Sequence, residues 1–394
     1  MSFIMNIRSV AKYESKILVR SWFFRIFTLL AVVFLGFFNF AMMLMEDNFG
    51  LWFAKSVSSN IPYLNLLLLN TGQAVVAVFL SSEFLKRDKK LDTSEVFYVR
   101  PLSNAEYVVG KIWGNLRVFL FLNLLVLAIV LAFNFMASGV TVDLPAYLVY
   151  FFLISIPTLI FIIGLSIFLM LLLKNQALTF ILLLGYIGLT LFYIQDKFYY
   201  LFDYMVYNLP LFKSTIVGFS NLELILNHRA IYFFAGLGFI FFTIFLFKRL
   251  PNARRSHYPW LFLSFCMFLL MGTAGFRHVR SILREGEMRA LYTSINNKYV
   301  YEPKMAIDYY DISVEQKSET IRSVVGMEGT ALAASEVFIF CLNPGLRVEE
   351  VKDGEKSLNF KREEQILAVD FGRKIEKGDT ISLSICYEGR IKDD

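Results

Sequence analysis

Over its first two-thirds the chain alternates between long apolar runs and short polar breaks, and then its rhythm changes. Seven runs approach the roughly 20 residues a helix needs to cross a bilayer: 22–45, 61–82, 116–136, 148–173, 177–194, 231–247 and 259–276. Ahead of the first, Arg8, Lys12, Lys16 and Arg20 recur every four residues opposite Ile7, Val10 and Ile17. That period predicts an amphipathic helix over 1–21, laid on the inner leaflet with its basic face toward the headgroups. It reads as a surface anchor for the first span or, more sharply, as an elbow that also touches a cytoplasmic partner. From Met305 onward the period falls to two, in 305–314, 337–342, 365–370 and 380–387. Turn signals separate these strands, among them Asn343-Pro-Gly345, Asp353-Gly354 and Lys377-Gly-Asp379. They predict a small antiparallel β-sandwich over 305–394, joined by a linker, 277–304, to a membrane domain over 22–276.

Composition agrees. Of 394 residues 57% are hydrophobic and 18% charged, with 42 Phe, against about 25% charged in a soluble domain. A soluble enzyme is excluded; the fold class is an α-helical integral membrane protein with a C-terminal sandwich. The net charge of +6 does not point to nucleic acid, because the bases cluster beside apolar runs. Residues 83–111 carry Lys86, Arg87, Lys89, Lys90, Arg100 and Lys111, and 248–255 carry Lys248, Arg249, Arg254 and Arg255. On the other side 46–60 has only Lys55 and 137–146 no base. This asymmetry places the N-terminus in the cytoplasm of a multi-pass cell (inner) membrane protein and the sandwich outside. Arg277, Arg280 and Arg284 run against it, but such charges constrain a long translocated domain weakly. The first run is too long for a cleaved signal and reads as an anchor.

Polar residues within the spans, Asn39, Asn65, Asn70, Gln73, Asn115, Asn123, Asn134 and Gln176, are expected to hydrogen-bond between helices. Arg25 and Arg117 are the only ionisable Asp, Glu, Lys or Arg in the predicted spans, each near a cytoplasmic end where it can snorkel to the headgroups. Span interiors free of such groups argue against a proton- or ion-coupled pump. Residues 195–229 are too polar to span. Their aromatic crowd, with Tyr193, Phe198, Tyr199, Tyr200, Phe202, Tyr204 and Tyr207, reads first as an interfacial helix at the outer surface. An exit gate for a lipid-like substrate is the other reading. Cys341 and Cys386 read as two buried free thiols before they read as a pair.

Residues 83–111 carry the sharpest signal. A charged helical stretch, 83–90, precedes Asp92-Thr93-Ser94-Glu95, which supplies N-cap chemistry for a short helix. Val96, Phe97, Tyr98 and Val99 then place apolar and aromatic side chains on a water-facing loop until Pro101 stops the helix. Ser103-Asn104-Ala105-Glu106 can cap the lead into the third span. Exposed aromatics on a short capped helix make a docking knob for a partner groove.

Thr93, Glu95, Pro101, Ser103, Glu106, Gly110 and Lys111 resemble the coupling region of transmembrane subunits of type-2 ABC exporters, with Asp92 and Arg100 where that family usually has Gly and Thr. The resemblance extends loosely over residues 1–250. It implies a permease half that pairs with a second half, as a homodimer or heterodimer, and docks region 84–111 on a separate ATPase subunit. That ATPase binds the ATP and Mg; in this chain the phosphate-loop pattern fails at Ala105 and Ile112. Phe97, Tyr98 and Arg100 are expected to touch the ATPase, and Thr93 and Glu95 to hold the helix. The tail, with Tyr310-Asp-Ile-Ser-Val314, Leu342-Asn-Pro-Gly-Leu-Arg-Val-Glu-Glu-Val351 and Tyr387-Glu-Gly-Arg-Ile391, resembles the N-terminal sandwich of zinc aminopeptidases of the alanyl-aminopeptidase family. Their His-Glu-x-x-His zinc motif is absent: His228, His257 and His278 are not so spaced. The expectation is therefore a non-enzymatic permease subunit without cofactor or metal of its own. The rival is a membrane anchor displaying the sandwich for extracellular binding or proteolysis.

Overall fold

The computed structural model describes residues 2–44, 57–82, 102–136, 141–211, 213–214, 218–219, 221–247, 258–317 and 319–392. The chain divides into two compact units, Met1–Val279 and Arg280–Asp394.

In the first unit α1 (Ser2–Arg20) and α2 (Trp22–Leu44) precede α3 (Asn60–Ser82) and α4 (Asn104–Met136). Next come α5 (Leu144–Tyr150), a π turn (Phe151–Ser155) and α6 (Ile156–Leu173), which together make one traverse. α7 (Gln176–Leu189), α8 (Leu222–Leu246) and α9 (Tyr258–Lys298) complete the set. Among the described residues seven stretches are long and apolar enough to cross a membrane, as the hydropathy predicts. Several are longer than predicted. α4 starts at Asn104 because Ser103 and Glu106 form a reciprocal capping box: the Glu106 N–H donates to Ser103 Oγ and the Ser103 N–H to Glu106 Oε2. α6 ends where Lys174 turns left-handed, and Asn175 caps α7 by accepting from the Leu178 N–H. Residues 277–298, expected as linker, continue α9 as helix.

Close backbone approaches hold the bundle. A Cβ on Gly164 would lie 2.6 Å from the Gly236 carbonyl oxygen, and one on Gly236 would lie 2.6 Å from that of Ile160. Only glycine lets α6 and α8 touch this way.

The second unit has a five-stranded sheet ordered β1-β2-β8-β4-β5 and a three-stranded sheet ordered β3-β7-β6, both antiparallel. The strands are β1 (Met305–Lys317), β2 (Thr320–Ala331), β3 (Ser335–Cys341), β4 (Leu346–Asp353), β5 (Lys356–Ser357), β6 (Asn359–Glu363), β7 (Ile366–Ile375) and β8 (Thr380–Gly389). Val325, Val351, Leu383 and Ile385 of the larger sheet meet Phe338, Leu367 and Val369 of the smaller in one core. The four predicted stretches fall within β1, β3, β7 and β8, in β3 and β7 to within a residue of an end; β2, interrupted by Gly326 and Gly329, did not stand out by alternation. Cys341 and Cys386 lie in different sheets and are free thiols, as expected, but Cys341 is exposed and Cys386 half-buried where both were expected to be buried.

Candidate functional site

Thr93, Glu95, Phe97, Tyr98, Arg100 and Pro101 lie outside the described residues. The helix that follows them is described and firmly seated. Asn6 of α1 donates to Glu106 Oε1 at 2.9 Å, and Lys111 pairs with Glu14 at 3.2 Å, the two side chains 2% and 4% exposed. Gly110 and Gly114 admit α1 against α4: Cβ atoms there would come within 2.7 Å of Val10 and Glu14. Ser15 donates to the Gly114 carbonyl at 2.7 Å. α1 is thus packed on α4 along one face, while Arg8, Lys12, Lys16 and Arg20 stay exposed. Arg117, expected to snorkel, instead donates to Ser15 and to the Ala11 carbonyl. Asn104 donates to the Phe247 carbonyl at 2.6 Å and Tyr107 stacks on Phe247, tying the start of α4 to the end of α8.

The middle of the bundle holds a closed polar ring. Gln73 donates to Asn70 at 2.6 Å, Asn123 to Gln73 at 2.8 Å, Ser155 to Asn123 at 2.8 Å and Asn70 to Ser155 at 3.3 Å. Asn39 and Asn65 exchange bonds of 2.7 and 3.1 Å. These groups join α2 to α3, and α3 to α4 and the π turn, as the expected interhelical bonding requires.

The far end departs most from expectation. The sixth traverse begins at Leu222, not Ile231, and takes His228 and Arg229 inside. Arg229 is 2% exposed, so the expectation that no such group lies in a span interior fails. Its Nε donates to the Leu153 carbonyl at 2.6 Å, Nη1 to Tyr204 at 3.0 Å, and Nη2 to Thr158 Oγ1 at 2.9 Å and Ile154 at 3.5 Å. Leu153 can accept because Pro157, four residues on, has no N–H to give it. Pro157 and the π turn together expose the carbonyls that solvate the guanidinium. A guanidinium stays protonated in proteins, so Arg229 is a fixed cation and not a proton carrier.

Arg229 also fastens the segment expected as an interfacial helix. Residues 201–211 are largely irregular and many are buried, Tyr204, Val206 and Leu211 completely. Buried backbone of this kind needs partners for its polar groups within the protein, and here side chains supply them. His278 (α9) bonds to the Tyr199 carbonyl at 2.9 Å and His228 (α8) to that of Tyr200 at 3.0 Å. Tyr232 donates to Leu201, Thr158 to Tyr204, Tyr63 to Val206 at 3.2 Å and Tyr150 to Leu211 at 2.6 Å. Ser59 donates to Lys213, whose ammonium pairs with Asp143. Asp203 accepts from the Tyr207 and Asn208 N–H groups at 2.9 and 2.8 Å, and burial pushes its carboxyl above the ordinary range. Around it Tyr186 stacks on Tyr204 and Phe161 packs edge-on against Tyr232. The sequence signals that could have pointed here were a proline inside an apolar run and a lone arginine downstream of an aromatic segment.

No known family's sequence profile matches the chain, and no curated protein matches it. Among solved structures it is similar to the M1 zinc metallopeptidase from Deinococcus radiodurans, at 18% identity and a TM-score of 0.21. The match covers 22% of this chain and 21% of that one. A mutant of that enzyme bound to a Tyr-Ser-Ala substrate, and a two-domain M1 zinc metallopeptidase mutant bound to L-tryptophan, match with the same figures. The chain therefore spans about a fifth of these enzymes' length.

Proposed function

We propose that this chain is the permease subunit of an ATP-driven exporter of the type-2 ABC class. It would pair with a second half and move an amphiphilic substrate outward across the cell membrane, while a separate ATPase subunit binds ATP and Mg. One observation carries the reading. The helix that leaves 83–101 is fixed in its first turns to α1, through Asn6–Glu106 and Glu14–Lys111, and to the end of α8, through Asn104–Phe247. A stroke delivered to 83–101 would reach three helices at once, as a docked ATPase requires. Phe97, Tyr98 and Arg100 are the proposed ATPase contacts, with Thr93 and Glu95 holding the helix and Pro101 ending it. The N-terminus is proposed to lie in the cytoplasm and the sandwich outside, in keeping with the basic residues around 83–111 and 248–255. Wide apolar faces on α2, α7 and α9, with Trp22, Phe37, Ile181 and Phe265 exposed, suit lipid and a second half.

The test is an affinity pull-down in mild detergent, comparing the intact chain with one lacking residues 92–101. An ATPase subunit captured by the first and lost by the second supports the permease. Capture by neither overturns it in favour of a membrane anchor.

A further inference from the structure

The turn Phe198–Tyr200 is unusual in a way the packing around it accounts for. All three residues have positive φ, at 52°, 59° and 63°. Isolated L-residues visit this left-handed region rarely, and three in succession strain the backbone. The local bonds are those of a short turn: the Tyr200 N–H reaches Lys197 at 3.1 Å, the Leu201 N–H reaches Phe198 at 3.1 Å and the Asp203 N–H reaches Tyr200 at 3.0 Å. The restraint comes from outside. His278 and His228 grip the consecutive carbonyls of Tyr199 and Tyr200, and Tyr232 grips Leu201. A carbonyl only accepts, so each imidazole carries its hydrogen on Nε2. The two imidazoles are fully buried, with ring centroids 5.1 Å apart, yet one belongs to α8 and the other to α9. Adjacent peptide groups are thus held from two different helices, and the hold lasts only while those helices keep their register.

We propose that His228 and His278 form a latch across α8 and α9. Closed, it holds the turn left-handed and keeps 203–206 seated in the bundle. When α8 and α9 separate at this end the turn relaxes to right-handed geometry, and Asp203, Tyr204, Met205 and Val206 lift out. This does not rest on the exporter reading; it concerns the opening of one end of the bundle, whatever drives it.

Met205, 2% exposed in the latched state, is the reporter. With Cys266, Cys341 and Cys386 replaced by serine, M205C in the detergent-purified full chain is labelled with a water-soluble maleimide. Labelling should be slow and should speed up about tenfold or more in H228F/H278F, since the strain per residue is of that order. Adding Y199G/Y200G, whose glycines take positive φ freely, should restore slow labelling. A histidine variant that labels no faster, or one that labels faster with no glycine rescue, overturns the latch. Y199G/Y200G with both histidines intact is the test that leaves the latch residues in place. It should slow labelling below the parent rate, and unchanged or faster labelling would count against the strain the proposal needs.

Discussion

The two ends of the helix bundle both bury charge, and they solve the problem differently. At the α1–α4 seam Lys111 is met by a carboxylate, Glu14, and both sit on regular helices brought together by Gly110 and Gly114. At the other end, among the described residues, no carboxylate pairs with Arg229, which is surrounded by carbonyl dipoles instead. Asp203 acts on it only at longer range. A full counter-charge can come from an intact helix, whereas free carbonyls exist only where a helix is broken. Pro157, the π turn and the irregular 201–211 segment supply them. The seam is therefore regular and the latched end irregular for one electrostatic reason.

The sharpest way to break this comparison is Arg229→Met, which takes the donor from the Leu153 carbonyl and leaves the Tyr204 carbonyl and the Thr158 hydroxyl only their bond to each other. Thermal unfolding in detergent should show a loss of about 4 kcal/mol or more, with Arg229→Lys recovering part of it. A loss below about 1 kcal/mol would mean the carbonyls do not solvate the charge. The seam should behave as a pair. Lys111→Met alone should cost about 3 kcal/mol by removing the cation that faces the buried Glu14 carboxylate, and adding Glu14→Gln should return most of that. Additive losses in that cycle would contradict the pairing. Gly114→Ala, whose Cβ would come within 2.7 Å of the Glu14 Cβ, should cost about 2 kcal/mol through overpacking. The smallest effect lies in pH. Burial raises the Asp203 carboxyl, so the folded chain holds that proton more firmly than the unfolded chain does. The resulting stability is present at low pH and is lost as pH rises from about 4 through the raised folded value. The unfolding temperature of the parent should fall relative to that of Asp203→Asn along that course; a parent that gains on the variant as pH rises would contradict it.

Much of the architecture was legible because hydropathy and period report directly on what a residue faces. The spans, the Asn–Gln pairings and the sandwich strands with clean alternation follow from that. The capping box at Ser103–Glu106 was legible because it is local. Arg229 and His228 were missed because a hydropathy window counts a charged residue as the end of a span. The compensation comes from Leu153 and Tyr204, 76 and 25 residues away in sequence. Residues 195–229 read as an interfacial helix because aromatic content says where a ring prefers to sit, not whether side chains will capture the backbone beside it. Thr93 to Pro101 lie outside the described residues, so the structure adds nothing there to what their spacing suggests.

The glycine contact between α6 and α8 limits how the bundle can be divided into moving parts. With the Gly236 carbonyl oxygen 2.6 Å from where a Gly164 Cβ would stand, any slip of one helix along the other drives backbone into side chain within a fraction of a turn. The two helices behave kinematically as one rod. The bundle therefore has fewer independent bodies than helices, and its internal motions fall on less tightly meshed boundaries such as α8 against α9.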